Sequence, residues 1–129
     1  MKTTYKIMLT AVVLILSGLI WSCGKSDTAD IYIPDINGAW LNQNNANDQF
    51  SFINAPANAA SGSFTGNESV NGAQVSTFVG SFNHSKINIV VTSNDNSVPV
   101  VTYNGTISGS SKPVMKLSSD SKTLILNKQ

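Results

Sequence analysis

Cysteine occurs once in this chain, at Cys23, histidine once, at His84, and arginine not at all. A single cysteine closes no internal disulfide, so the chain folds without covalent staples. One thiol and one imidazole also leave a zinc centre, which needs three or four converging ligands, without a donor set. The lack of arginine removes the usual bidentate grip on phosphate or carboxylate. Charged residues make up only 12% of the chain, and beyond Cys23 six lysines stand against seven carboxylates. That balance excludes an electrostatic case for nucleic acid.

Catalytic constellations are correspondingly scarce. His84 lies between Asn83 and Ser85, a turn-like context. A triad of Ser81 or Ser85 with His84 and Asp95 can be written down, but neighbours on a strand point to opposite faces, so a solvated loop histidine is expected. The acids are few, and three of them, Asp27, Asp30 and Asp35, fall close together, so a carboxylate pair of the glycosidase kind is not expected either. Asn94-Asp95-Asn96 offers oxygens, but no glutamate follows to complete a calcium loop; a hairpin turn explains it more simply. The expectation is a non-catalytic protein without metal or other cofactor.

Only one long apolar run is present. Lys2 and Lys6 precede an uncharged stretch from Ile7 to Ile20, which Trp21-Ser22-Cys23 follows. As a helix that stretch reaches about 21 Å, short of the roughly 30 Å hydrocarbon core, so it reads as a signal-peptide core and not as a permanent span. Gly24-Lys25-Ser26-Asp27 then turns abruptly polar, as a tether does. The expected organisation is a signal peptide over 1–22, a flexible tether over 23–30 and one folded domain over 31–129.

Ile20-Trp21-Ser22-Cys23 resembles the lipobox of bacterial lipoproteins, with small Ser22 before the cysteine and branched Ile20 three before it; Trp21 is larger than the residue usual between them. The resemblance implies cleavage before Cys23, a diacylglycerol on its thiol, a further acyl chain on the freed amine and an outer-membrane address on the periplasmic face or the cell surface. Two or more chains anchor stably where one is marginal. Asp27-Thr28-Ala29 is similar to the O-glycosylation acceptor of Bacteroidota, which implies a glycan on Thr28. Gly24-Lys25-Ser26-Asp27 resembles, imperfectly, the surface-export tags of lipoproteins in that phylum.

The rest of the chain reads as all-β. Stretches rich in Val, Ile, Thr and Phe recur between Asn-, Gly- and Ser-rich links, with no sustained helical period. Eight strands are expected, over 36–42, 48–54, 62–66, 74–83, 85–93, 98–108, 113–118 and 123–127. Short links imply antiparallel neighbours, with Asn37-Gly38 and Asn71-Gly72 as turns and Asn104-Gly105 as a bulge inside a long strand. Alternation puts Phe50 and Phe52 on one face, Ile87, Ile89 and Val91 on another, and Val101, Tyr103 and Ile107 on a third. One apolar and one polar face fit a small up-and-down barrel of about eight strands or, alternatively, a β-sandwich; the barrel is preferred because it leaves no unpaired edge.

Ile36-Asn37-Gly38-Ala39-Trp40 and the following Leu41-Asn42 resemble the Gly-x-Trp opening of lipocalin-like and avidin-like barrels, and Gly62-Ser63-Phe64-Thr65-Gly66 resembles a later strand of the avidin group. The resemblance implies that Trp40 plugs one end of a barrel. No tryptophan follows Trp40 to box a biotin-like ligand, so fold carries over and biotin binding does not. Trp40 is read as a barrel-end core residue and Asn42 as a turn or lumen hydrogen-bonding residue. Two functions follow: a lipid-anchored interaction or accessory module of the envelope with a protein or glycan partner, and a lipocalin-like carrier of a small apolar ligand. The carrier's lumen would be lined by Phe50, Phe52, Phe78, Phe82 and Tyr103, with Trp40 and Asn42 at its ends. The interaction module is favoured, because large aromatics in so small a barrel fill the lumen.

Overall fold

Strands form where β-branched and aromatic residues alternate with polar ones, and they break where Asn, Gly, Asp and Ser cluster. In the computed structural model, which describes residues 32–129, eight strands follow one another: β1 (Gly38–Asn42), β2 (Asn45–Ile53), β3 (Ser61–Val70), β4 (Ala73–Asn83), β5 (Lys86–Ser93), β6 (Val101–Ser108), β7 (Val114–Ser118) and β8 (Thr123–Lys128). Each pairs antiparallel with the next, and β1 also pairs with β8, Trp40 opposite Lys128 and Asn42 opposite Leu126. The sheet closes into a barrel and no edge is left free. Barrel, not sandwich, is therefore the architecture. Among the described residues no helix is long and apolar enough to cross a membrane. The signal peptide, the tether, Cys23 and Thr28 all lie outside the described residues.

Several local expectations need correction: β1 starts at Gly38, not Ile36, and β2 at Asn45, not Asp48. β3 continues four residues past Gly66, because polar Asn67, Glu68 and Ser69 still pair with β2 before Asn71 and Gly72, both at positive φ, turn the chain in two residues. β6 starts at Val101, not Val98: Pro99 lacks the N–H a strand needs, and the Val98 N–H closes a turn onto the Asp95 carbonyl (3.0 Å). Asn104-Gly105 forms no bulge, since register runs unbroken through both β5–β6 and β6–β7. A Cβ at Gly105 would meet the Lys116 carbonyl and the Leu117 backbone, so this glycine permits a close approach of β7.

All five phenylalanines are buried, and along β3 and β4 three inward-facing pairs each set a ring against a glycine: Gly62 with Phe82, Phe64 with Gly80, and Gly66 with Phe78. The missing side chain on one strand is the space into which the ring on the other lies. Phe52 sits at the centre of the cluster, 4.8 Å from Phe78, 5.3 Å from Phe64 and 5.9 Å from Trp40 between ring centroids. Met115, Leu117, Leu124, Leu126, Ile87, Ile89 and Ile107 complete the core from the far wall.

One end of the barrel is sealed by the segment leading into β1. Ile36 is buried there, and its carbonyl accepts the Trp40 indole N–H at 2.8 Å. The Asn37 side chain donates to the Ala55 carbonyl and accepts from the Ala55 N–H (2.8 and 2.9 Å), fastening this segment to the β2–β3 link. Lys128 pairs with Asp35 and lies over the Trp40 ring, 5.9 Å from its centroid. Trp40, fully buried, is held against this segment by its indole hydrogen bond.

Candidate functional site

The opposite end of the barrel is polar. It is where β1, β3, β5 and β7 finish and β2, β4, β6 and β8 begin, so its links are 43–44, 71–72, 94–100 and 119–122. The inward row that carries Trp40 on β1 reaches Asn42 here. The row of Phe52 and Phe50 on β2 reaches Asp48; that of Phe64 and Gly66 on β3 reaches Glu68; that of Phe82, Gly80 and Phe78 on β4 reaches Ser76. Period-two alternation that fills the middle of the barrel with rings therefore ends it in a ring of polar side chains. A register shift between Glu68 and Ser69, of the kind common at barrel rims, marks the same level.

Asn42, Asp48 and Ser76 are all buried. The Asn42 amide donates to Asp48 Oδ2 at 2.8 Å, while its own carbonyl oxygen accepts the Asn44 N–H at 3.0 Å and shapes the turn into β2. Ser76 Oγ donates to Glu68 Oε2 at 2.6 Å. Asp48 Oδ1, by contrast, is buried without a hydrogen-bond partner. An unpaired buried carboxylate oxygen is costly, and groups of this kind call for a specific reason.

Glu68 supplies part of that reason. Burial pushes its carboxyl above the usual carboxylate range; Ser76 and Lys122 oppose the shift, and the charge of the adjacent Asp48 adds to it. The two carboxyls are neighbours, set side by side where the start of β2 pairs with the end of β3. Tyr103, on β6, faces the pair; burial first, and the Glu68 charge second, raise its phenol. Outside them a concavity of about 280 Å³ opens at the rim, with Glu68 and Lys122 at its polar side and Val75, Val98, Pro99 and Val101 at its apolar side.

The residues read as lumen positions are buried, but they do not meet at one site. Phe50, Phe52, Phe78 and Phe82 pack on one another and on Phe64 in the middle of the barrel, Trp40 belongs to the plugged end, and Asn42 and Tyr103 belong to the acid end. Asp48 and Glu68 are neighbours because the antiparallel register of β2 on β3 sets the start of one strand beside the end of the other. The sequence does carry a signal for them: Asp48 is in phase with Phe50 and Phe52, and Glu68 with Phe64. The triad, in contrast, is not assembled. His84, at φ 53° in the β4–β5 link, hydrogen-bonds through Nδ1 to Asn83 Oδ1, and Asp95 lies at the other end of the eight-residue β5. At about 3.3 Å per residue that is roughly 25 Å away. Asp95 caps its own turn, accepting from the Ser97 N–H (2.9 Å) and Oγ (2.7 Å), which holds its carboxyl below the usual range.

Comparison with family models, with curated proteins and with solved structures returns no match to the chain.

Proposed function

We propose that this protein is a lipid-anchored outer-membrane lipoprotein whose barrel serves as a non-catalytic interaction or accessory module of the cell envelope. The anchor rests on Ile20-Trp21-Ser22-Cys23 after a charged and then apolar start. Cys23 carries the diacylglycerol and the N-acyl chain, Thr28 is a glycan acceptor, and residues 23–30 tether the domain to the periplasmic or outer surface.

The observation that favours a module over a carrier is the interior itself. The rings that would line a lumen for a small apolar ligand occupy it, with centroids 4.8 to 6.5 Å apart. Packing of that density leaves binding to the barrel's ends and outer face. The partner is an envelope protein or glycan.

Metabolic labelling with an alkynyl fatty acid, comparing wild type with Cys23→Ala, tests the anchor: label on the first and none on the second is expected. Absence of label on wild type refutes it. Co-purification from detergent-solubilised envelopes tests the module, with a stoichiometric partner expected.

A further inference from the structure

The charged side chains are sorted by sign along the barrel. Among the described residues, the plugged end carries Lys86, Lys112 and Lys128 against Asp35, whereas the opposite end carries Asp48, Glu68, Asp95 and Asp120 against Lys122. Lys116 lies between them, at the middle of β7. A negatively charged surface therefore attracts the first end and repels the second.

The plugged end also has a place for anionic groups. Lys112 and Lys128 share, with Ser110 and Ser111, a concavity of about 560 Å³ between the β6–β7 link and the end of β8. Asp35 lines it too and pairs with Lys128, so an incoming phosphate competes for that lysine. Lys112, and Lys86 at the start of β5, are exposed.

Apolar tips stand among these charges. Ile33, ahead of β1, and Ile53, at the end of β2, are each 48% exposed. Beside Ile33 a smaller hollow of about 160 Å³ is walled by Pro34, Ala55, Pro56 and Ala57, and the β2–β3 link over 54–60 carries no charge. Separate apolar tips with lysines around them suit the boundary between headgroups and acyl chains, which is fluid and adapts to each tip. Val98 and Val100 expose comparable apolar surface at the opposite end, but Asp95 and Asp120 stand in the links there. Charge decides between the two ends.

We propose that the plugged end of the barrel docks on an anionic phospholipid surface, with Lys86, Lys112 and Lys128 toward headgroup phosphates and Ile33 and Ile53 entering the interfacial layer. The choice of a membrane as partner rests on the envelope reading above; the basic, apolar-tipped end belongs to the barrel itself. Each lysine near an anionic surface strengthens binding about fivefold, and scattered lysines add because phosphates lie everywhere on such a surface.

Amide exchange of the full-length protein on vesicles, read peptide by peptide, tests the docking where total binding does not, since the apolar run over 7–20 favours vesicles of any charge. Links 54–60 and 109–113 are expected to exchange at least threefold more slowly on vesicles with about one third phosphatidylglycerol than on phosphatidylcholine alone, with links 94–100 and 119–122 unchanged. The slowing is expected to vanish in about 0.5 M sodium chloride and in the double variant Lys86→Gln, Lys112→Gln. The wild-type salt series stands even if the variant misfolds. Equal exchange on the two kinds of vesicle, slowing at 94–100 and 119–122 instead, or slowing that survives both salt and the substitutions overturns the proposal. So does slowing by soluble polyglutamate with none on anionic vesicles, which assigns the end to an acidic protein. Loss of the anchor reading is a separate result: an unlabelled Cys23 leaves the exchange comparison intact.

Discussion

Gly66→Ala probes the packing rule that fills the barrel. The new methyl group would meet the Phe78 ring on one side and the Ser51 carbonyl on the other. Neither yields easily: the ring is held by Phe52 at 4.8 Å and Phe50 at 6.1 Å, and the carbonyl belongs to the backbone of β2. Overpacking of a rigid site costs about 1–3 kcal/mol, and the absence of a yielding neighbour puts this substitution at the upper end. Gly80→Ala meets the same kind of walls, the Phe64 ring and the Asn88 carbonyl. Gly62→Ala meets mainly the Pro56 ring, on an exposed link that can shift. Gly72→Ala meets nothing within 4 Å and bears only the strain of φ +80°, roughly 1–2 kcal/mol. Urea unfolding followed by Trp40 fluorescence should therefore rank Gly66→Ala and Gly80→Ala as more damaging than Gly62→Ala. If Gly62→Ala proves as costly as Gly66→Ala, the ring-over-glycine account of the interior is wrong.

Other outcomes follow from the two ends. Asp48→Asn keeps an oxygen for the Asn42 amide and gives Glu68 an N–H donor, so at neutral pH it is expected to raise the urea midpoint; a lowered midpoint contradicts the donor deficit. Glu68 has a folded pKa raised above its unfolded value, so its contribution is fully favourable below the unfolded value, about 4.3, and is lost as pH rises through the folded one. Thermal melts of wild type should lose stability across that window, while Glu68→Gln shows a flatter profile; parallel profiles refute the assignment. Asn37→Ala strands the Ala55 N–H and carbonyl, costing about 1–3 kcal/mol, and amide exchange should speed up at Ala55 and the β2–β3 link before the barrel wall.

Much of the barrel is legible in the chain because its strands obey two simple periods: alternation within a strand and Asn- or Gly-marked links between strands. Phe50 and Phe52, Ile87 and Ile89, and Tyr103 and Ile107 declare their inward face without a structure. Glycines mislead. Gly105 looks like a bulge signal and Gly66 like a strand end, because the ring or backbone that needs the space lies on another strand and is distant in sequence. The acid end is hidden for a related reason: Asp48 and Glu68 are isolated charges in a weakly charged chain, and only register between β2 and β3 makes them neighbours. Propensity alone reads Asn67-Glu68-Ser69 as a loop; pairing on both sides overrides it.

The claim that this barrel is held at the outer membrane by Cys23 is tested most directly by the intact mass of the protein extracted from envelopes. The account predicts a polypeptide beginning at Cys23 and heavier than residues 23–129 by a diacylglycerol and one further acyl chain, with any glycan on Thr28 as an additional increment. A mass that retains residues 1–22, or one that begins at Cys23 without lipid, contradicts it.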